Sequence, residues 1–177
     1  TLDGTVVRIT PQDIVVLATD GDHELGGKDW DDRVAQFLAT RFRDEYGFDP
    51  LERTDSFQDL LVQCEQAKQA LSNRASVNVS LDFVGRLGTY PLTREKFEEL
   101  TVDLMERTQR LTEQTLADAG LTWRDLTSLL LVGGSTRMPM VRAYCERMSG
   151  KTPRTGVNVD EAVALGFSDI FFTGGEP

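Results

Sequence analysis

Apolar residues recur along this chain in two rhythms, and the switches between them divide it into elements. Leu2 to Ile9 and Asp13 to Thr19 are rich in β-branched residues. Thr10, Pro11 and Gln12 separate them, a pattern that predicts a hairpin. Asp20, Gly21 and Asp22, followed by Gly26 and Gly27, predict a loop. From Asp29 onward Trp30, Val34, Phe37, Leu38, Phe42 and Tyr46 fall at helical spacing until Gly47 stops the run. Asp49 to Thr54 reads as a connection, and Phe57, Leu60, Leu61, Cys64, Ala67 and Leu71 mark the buried face of a second helix. Val77, Val79, Leu81 and Phe83 then alternate with polar neighbours, as in a half-buried strand. Gly85 to Gly88 turns the chain toward a short strand near Tyr90.

The helical period returns after Thr93, an N-cap residue assisted by Glu95 in the first turn. Phe97, Leu100, Leu104, Leu111 and Leu116 predict one long helix ending at Gly120. Leu129 to Val132 has the length of a buried strand, and Val141, Tyr144, Cys145 and Met148 predict a helix closed by Gly150. Asn158 and Asp160 can cap a last helix, with Glu161 completing a capping-box pattern and Phe167, Ser168 and Asp169 within it. The two helices and the Val77–Tyr90 strands read as an insert between the opening hairpin and the Leu129 strand.

The run LLLVGGSTRMP, Leu129 to Pro139, carries the most chemistry. A strand, a glycine turn and a helix start in that order aim unpaired backbone N–H groups and the positive end of a helix dipole at one point. Gly133 and Gly134 let the backbone lie against a ligand, Ser135 and Thr136 add hydroxyls, and Pro139 suits a first helical turn. Such a place receives an anion, above all a nucleotide phosphate; the same letters also fit an ordinary tight strand-to-helix connection.

Composition narrows the function classes. The chain has 177 residues, 40% of them hydrophobic and 27% charged, which suits a globular domain or two small subdomains with a real core. A net charge of −10 leaves no basic stripe for nucleic acid and disfavours docking on anionic membranes. Cys64 and Cys145 lie far apart on apolar helix positions and read as buried free thiols of a reducing, cytoplasmic compartment. The sequence reads as one without a signal peptide, and no apolar run nears the roughly 18 residues of a membrane span. Residue 1 is not Met, so the chain reads as a piece of a longer protein.

Three further groups carry candidate chemistry. Glu65, Lys68, Gln69 and Ser72 form a polar stripe along the second helix. That stripe could hydrogen-bond a sugar and the edge of a base, or serve as a solvated face holding a Glu65–Lys68 pair. The loop from Asp20 to Asp32 gathers six carboxylates and His23, the only histidine, but its spacing matches no dedicated metal cage. Asp29, Asp31 and Asp32 are placed in a first helical turn, where the dipole favours them without a metal. Asp3 could meet a hydrated magnesium ion beside a phosphate. No Ser–His–Asp or Cys–His arrangement is evident.

In order and spacing, TLDGTVVRI, GDHELGGKDWDDR, CEQAKQALS, LTREKFEEL, LLLVGGSTRMP and NVDEAVALG together resemble the ATPase domain of the 70-kilodalton heat-shock chaperones, the DnaK family, over nearly the whole chain. Another actin-like or sugar-kinase relative fits CEQAKQALS and NVDEAVALG less well. The resemblance implies an α/β, actin-like (ribonuclease H-like) lobe II, a mixed sheet with helices plus an inserted α+β subdomain. It implies a larger subdomain of residues 1–26 and 104–177 and a smaller one of residues 27–103 whose rotation controls nucleotide exchange. The ligand implied is ATP or ADP with Mg²⁺. Gly133, Gly134, Ser135, Thr136 and Arg137 would lie along it, Arg137 near the adenine. Glu65, Lys68 and Ser72 would meet the ribose and base, Gln69 would border the adenine, Asp160 would close the base site, and Asp3 would help hold the metal through water. Partners implied for the parent are lobe I, a peptide-binding domain, nucleotide-exchange factors and J-domain co-chaperones.

Some positions depart from the family pattern. Gln69 stands where an arginine usually packs on the adenine, His23 and Glu24 replace a threonine–histidine pair, and the Leu51–Asp55 loop is short. No residue of this chain is expected to be catalytic, because the first phosphate loop, the catalytic lysine and the water-orienting carboxylate belong to the other lobe. The expected function is half of an ATP/ADP site in a stress-response protein-folding chaperone, without turnover by itself. A diverged, non-hydrolysing docking module is the alternative. A strand that would precede Thr1 is absent, so Leu2 to Ile9 is expected to expose an unpaired edge.

Overall fold

The computed structural model describes residues 1–10, 12–156 and 169–174. Contacts divide the chain into two compact units, Thr1–Gly27 with Met105–Pro177 and Lys28–Leu104.

The first unit is built on a five-stranded sheet of order β2-β1-β7-β5-β6. Its strands are β1 (Leu2–Ile9), β2 (Ile14–Asp22), β5 (Ser128–Leu131), β6 (Arg154–Thr155) and β7 (Asp169–Gly174). β1 and β2 form the expected antiparallel hairpin, with a register shift between Val6 and Val7. β2 continues through Asp20, Gly21 and Asp22, so those residues pair with β1 rather than forming a loop. Val6 and all of Leu129, Leu130 and Leu131 are buried, while Ile14, Val15 and Val16 on the edge strand are exposed. β7 runs antiparallel to β1 and parallel to β5, joining the two. The expected open edge along Leu2–Ile9 is therefore filled. Asp169 opens this strand rather than extending a helix; the helix foreseen from Asn158, with its capping box, lies outside the described residues. α4 (Val102–Asp118) ends before Gly120, whose φ of +69° takes the left-handed conformation. α5 (Pro139–Ser149) ends at Gly150 in the same way, and Trp123 meets Tyr144 edge-on at 5.6 Å.

The second unit is contiguous in sequence. α1 (Gly27–Tyr46) buries Trp30, Asp31, Val34, Ala35, Leu38, Ala39 and Phe42. A short 3₁₀ turn, Pro50–Glu52, follows, seated by Asp49 accepting from the Leu51 N–H at 2.9 Å. α2 (Thr54–Leu71) buries Leu60, Cys64, Ala67 and Leu71 and packs on β3 (Ser76–Phe83). β3 pairs with β4 (Arg86–Thr93) through a two-residue turn at Val84 and Gly85, both with positive φ, as in a type I′ hairpin. β4 is thus longer than the short strand expected near Tyr90, and Gly88 lies within it. Thr93 caps α3 (Arg94–Leu100) by accepting from the Lys96 N–H at 3.1 Å.

The single long helix expected from Thr93 to Gly120 is two helices, broken at Thr101 with φ −120° and ψ 14°. Thr101 is fully buried and its hydroxyl donates to the Phe97 carbonyl at 2.8 Å. That bond closes the last turn of α3.

Candidate functional site

In the first unit the glycine turn stands at the carboxyl end of β5. Val132 leaves the strand and is 49% exposed, so the buried run ends one residue earlier than its apolar letters suggest. Gly133 has φ +93° and ψ 163°, a region essentially reserved for glycine. It leads into a 3₁₀ turn, Gly134–Arg137, and only then into α5 with Pro139 in its first turn. The expected direct step from glycine turn to helix is therefore interrupted by this tight turn, whose opening amides lack a partner within the turn.

Thr136 is buried, and its hydroxyl donates to the Gly133 carbonyl at 2.7 Å, stapling the turn. Its N–H reaches the same carbonyl at 3.3 Å. Ser135 is half-buried and accepts from the Met138 N–H at 3.2 Å through its carbonyl. Gly134 and Arg137 are exposed. A Cβ built on Gly134 would meet nothing within 4 Å, so the approach to its backbone is open on this unit. Arg137 closes the turn and is exposed.

The sheet also fixes where Asp3 lies. β1 is antiparallel to β7, with Asp3 opposite Gly174, and β7 is parallel to β5, with Thr173 opposite Leu131. Asp3 and the Gly133–Arg137 turn therefore occupy the same end of one sheet, the carboxyl end of its parallel strands, where open α/β sheets place ligands. Asp3 accepts from the Thr1 hydroxyl at 3.1 Å, and its carboxylate lies directly over Gly21. A single carboxylate beside a phosphate suits Mg²⁺, which keeps several waters and uses few protein ligands. Among the described residues no group of three or more His, Cys, Asp or Glu side chains could hold a metal, and His23 is exposed.

In the second unit the stripe on α2 is real as a surface but not uniform. Glu65 and Gln69 are exposed, with Gln69 donating to Glu65 at 3.4 Å. Ser72 is half-buried at the helix C-cap. Lys68 turns inward to an ion pair with Asp31 of α1 at 2.7 Å, the two side chains being only 12% and 9% exposed. Burial pushes the Asp31 carboxyl up to about 6, against the opposing hydrogen bond and charge of Lys68, with Glu65 and Asp32 adding to the rise. Its Oδ1 has no hydrogen-bond partner among the described residues. Asp32 is raised as well, first by burial.

Asp31 is the residue that sequence reasoning missed. It was placed with Asp29 and Asp32 in a first helical turn, but α1 begins at Gly27 and only Asp29 lies in that turn. The signal was present in the spacing: Asp31, Ala35, Leu38 and Phe42 share one buried face. Cys64 and Cys145 are free and buried, and burial raises their thiols to about 12 and about 11. Asp160 lies outside the described residues. No helix among the described residues is long and apolar enough to cross a membrane.

Comparison with known proteins places the chain in a wider setting. The family model described as Hsp70 protein matches residues 1–169. The chain is 44% identical over 172 residues to the chaperone protein DnaK of Halobacterium salinarum, covering 94% of this chain and 27% of that relative. It is 40% identical to the chaperone protein DnaK of Thermosipho africanus and 41% identical to the stromal 70 kDa heat shock-related protein, chloroplastic, of Spinacia oleracea, covering 29% of each. The chain thus spans less than a third of the length of these relatives.

Proposed function

The chain belongs to the Hsp70 family, and from that premise we propose that it is a stretch of a chaperone's actin-like ATPase domain, its second lobe, supplying part of an ATP/ADP site. The observation that carries this reading is the Gly133–Arg137 turn, open at Gly134 and set at the same sheet end as Asp3, within a family match that runs through both. In this reading the opening amides of the turn and Arg137 receive the nucleotide, and Ser135 adds a hydroxyl. Thr136 holds the turn's shape from below. Asp3 orients water around Mg²⁺, which when bound neutralises phosphate charge. Glu65, Lys68 and Ser72 are assigned to the ribose and base, with Gln69 beside the adenine and Asp160 closing the base site. Control of exchange is assigned to the smaller subdomain, residues 27–103.

None of these residues is a general base, a nucleophile or a second cation for the transferred phosphoryl group. Phosphoryl transfer needs positioning and charge stabilisation from several directions. The chain is therefore proposed to bind nucleotide weakly and not to turn it over. Two buried free thiols support a reducing compartment, for which the cytoplasm is proposed. Lobe I, a peptide-binding domain, exchange factors and J-domain co-chaperones are proposed as partners of the parent protein.

Calorimetric titration with Mg·ADP tests this. Binding in the range of tens of micromolar or weaker (about −6 kcal/mol) is expected, and Gly133→Ala should abolish it. Submicromolar affinity would contradict the reading, and steady ATP hydrolysis by the chain would do so more severely. A docking module that ignores nucleotide is the second reading. It is favoured by Gln69, whose amide is engaged with Glu65, and it predicts no heat with either nucleotide.

A further inference from the structure

The second unit keeps a carboxylate where its fold would be better served without one. Asp31 lies on the face of α1 that buries Ala35, Leu38 and Phe42. Its side chain is buried, and one oxygen, Oδ1, has no hydrogen-bond partner among the described residues. A buried charge with an unmatched oxygen costs stability. The other oxygen, Oδ2, accepts from the Lys68 ammonium of α2 at 2.7 Å. The charged and titratable groups that act on this place are Lys68, Glu65 and Cys64 from α2 and Asp32 from α1 itself. Burial pushes the Cys64 thiol up to about 12, so it stays neutral, and of these four groups Lys68 alone is a cation.

Lys68 differs from its neighbours on the α2 stripe. Glu65 and Gln69 are exposed, whereas the Lys68 side chain is drawn inward to α1. A free lysine has several rotatable bonds whose freedom a ligand must remove. One held beforehand spares that cost, which is about three- to tenfold in affinity. We infer that Asp31 is a positioning residue: its charge holds Lys68 in the place from which the amine meets the ribose of a nucleotide. The inference rests on the nucleotide reading of the α2 stripe and adds to it a residue and a pH dependence. Asp31 carries its charge only above about pH 6, where it loses its proton. Below that pH the ammonium faces a neutral carboxyl, and the bond between them loses its opposite charge and weakens. Nucleotide affinity therefore falls as pH falls through about 6. The buried acid destabilises the fold and prepares the site, a division expected where function overrides local stability.

Calorimetric titration of the full chain with Mg·ADP at about pH 5 and about pH 7.5, either side of the Asp31 titration, tests this alongside Asp31→Asn and Asp31→Leu. Comparing chains at one pH cancels the ionisation of the nucleotide itself. At the higher pH Asp31→Asn should bind about three- to tenfold more weakly than the native chain, although it is the more stable fold. At the lower pH the two should bind alike, because native Asp31 is then protonated. A role confined to stability would give the opposite order at the higher pH. Asp31→Leu, which offers no acceptor, should bind more weakly than either at both values. Labelling with acetic anhydride, read by mass spectrometry, follows the amine without any nucleotide. Lys68 should react several-fold faster in Asp31→Leu than in the native chain, with Lys96 as the internal reference. Equal affinity of the native chain and Asp31→Asn at the higher pH would overturn the inference, and so would Lys68 labelling that Asp31→Leu leaves unchanged. Absence of heat from every chain, the native one included, would refute the nucleotide reading itself and this inference with it.

Discussion

Replacing Asp31 by Asn should make the second unit more stable at neutral pH than the native chain, although it removes one partner of a buried ion pair. An aspartate ordinarily loses its proton near 3.8, and in the folded chain Asp31 does so near 6. Between those values the folded chain holds a proton that the unfolded chain has released, so each rise in pH favours unfolding. The contribution is full below about pH 3.8 and is lost as pH rises to about 6; the displacement is worth about 3 kcal/mol. That figure already includes the attraction of Lys68, which fails to offset the desolvation of a side chain only 9% exposed. Asn imitates the protonated form and still accepts from Lys68, so it escapes the loss. The two chains should be nearly equal in stability near pH 4, and the variant should be ahead by about 2–3 kcal/mol at pH 7. Urea unfolding followed by Trp30 fluorescence, in a Trp123→Phe background, reads this at the adjacent residue, which is itself buried. A gap between variants that stays constant from pH 4 to 7, or one that turns against Asn as pH rises, would refute the reasoning.

Other perturbations have equally definite outcomes. Val84 is a β-branched residue at φ +53°; Val84→Asn should raise stability by about 1 kcal/mol, read as a higher midpoint in urea. Thr93→Ala removes the side-chain cap of α3 and should cost about 1 kcal/mol, with Thr93→Ser recovering most of it. Gly133→Ala forces a Cβ into a conformation at φ +93° and ψ 163°, costing about 1–3 kcal/mol by thermal unfolding. Lys68→Met leaves Asp31 buried without its cation, a loss of about 3–5 kcal/mol at pH 7 that should shrink on acidification as the carboxyl takes up a proton.

How much could be read beforehand depended on whether the deciding force was local. α1 and α2 were legible because their apolar residues repeat at one period, and Gly47, Gly120 and Gly150 were legible as stops because each needs positive φ. The break at Thr101 was hidden, since the apolar spacing runs straight through it and the helix ends in the backbone angles of that one residue. The turn at Val84 was hidden for a different reason: β-branched residues avoid left-handed backbone, so the turn was expected over Gly85 to Gly88 rather than at Val84 and Gly85. Val132 shows the converse, an apolar letter in a strand-like run that the structure leaves exposed. At the candidate site, Gly133 and Asp3 were visible as residue types, but their shared sheet end follows from β7, which pairs with Asp3–Arg8 and with Ser128–Leu131, segments far apart in sequence. Lys68 was visible as a polar stripe residue, while its partner Asp31 could be found only by letting a carboxylate sit on an apolar face.

The late arrival of β7 sets a timetable for biogenesis. Residues 28–104 form a continuous unit that can collapse while the ribosome is still at work. β1 emerges before that unit, yet its ladder with β7 stays unmade until residues 169–174 have been translated. Pairings of such long sequence separation form slowly, because the loop must be closed before any of them pays back its entropy. The first unit is therefore completed only after the second has had time to fold.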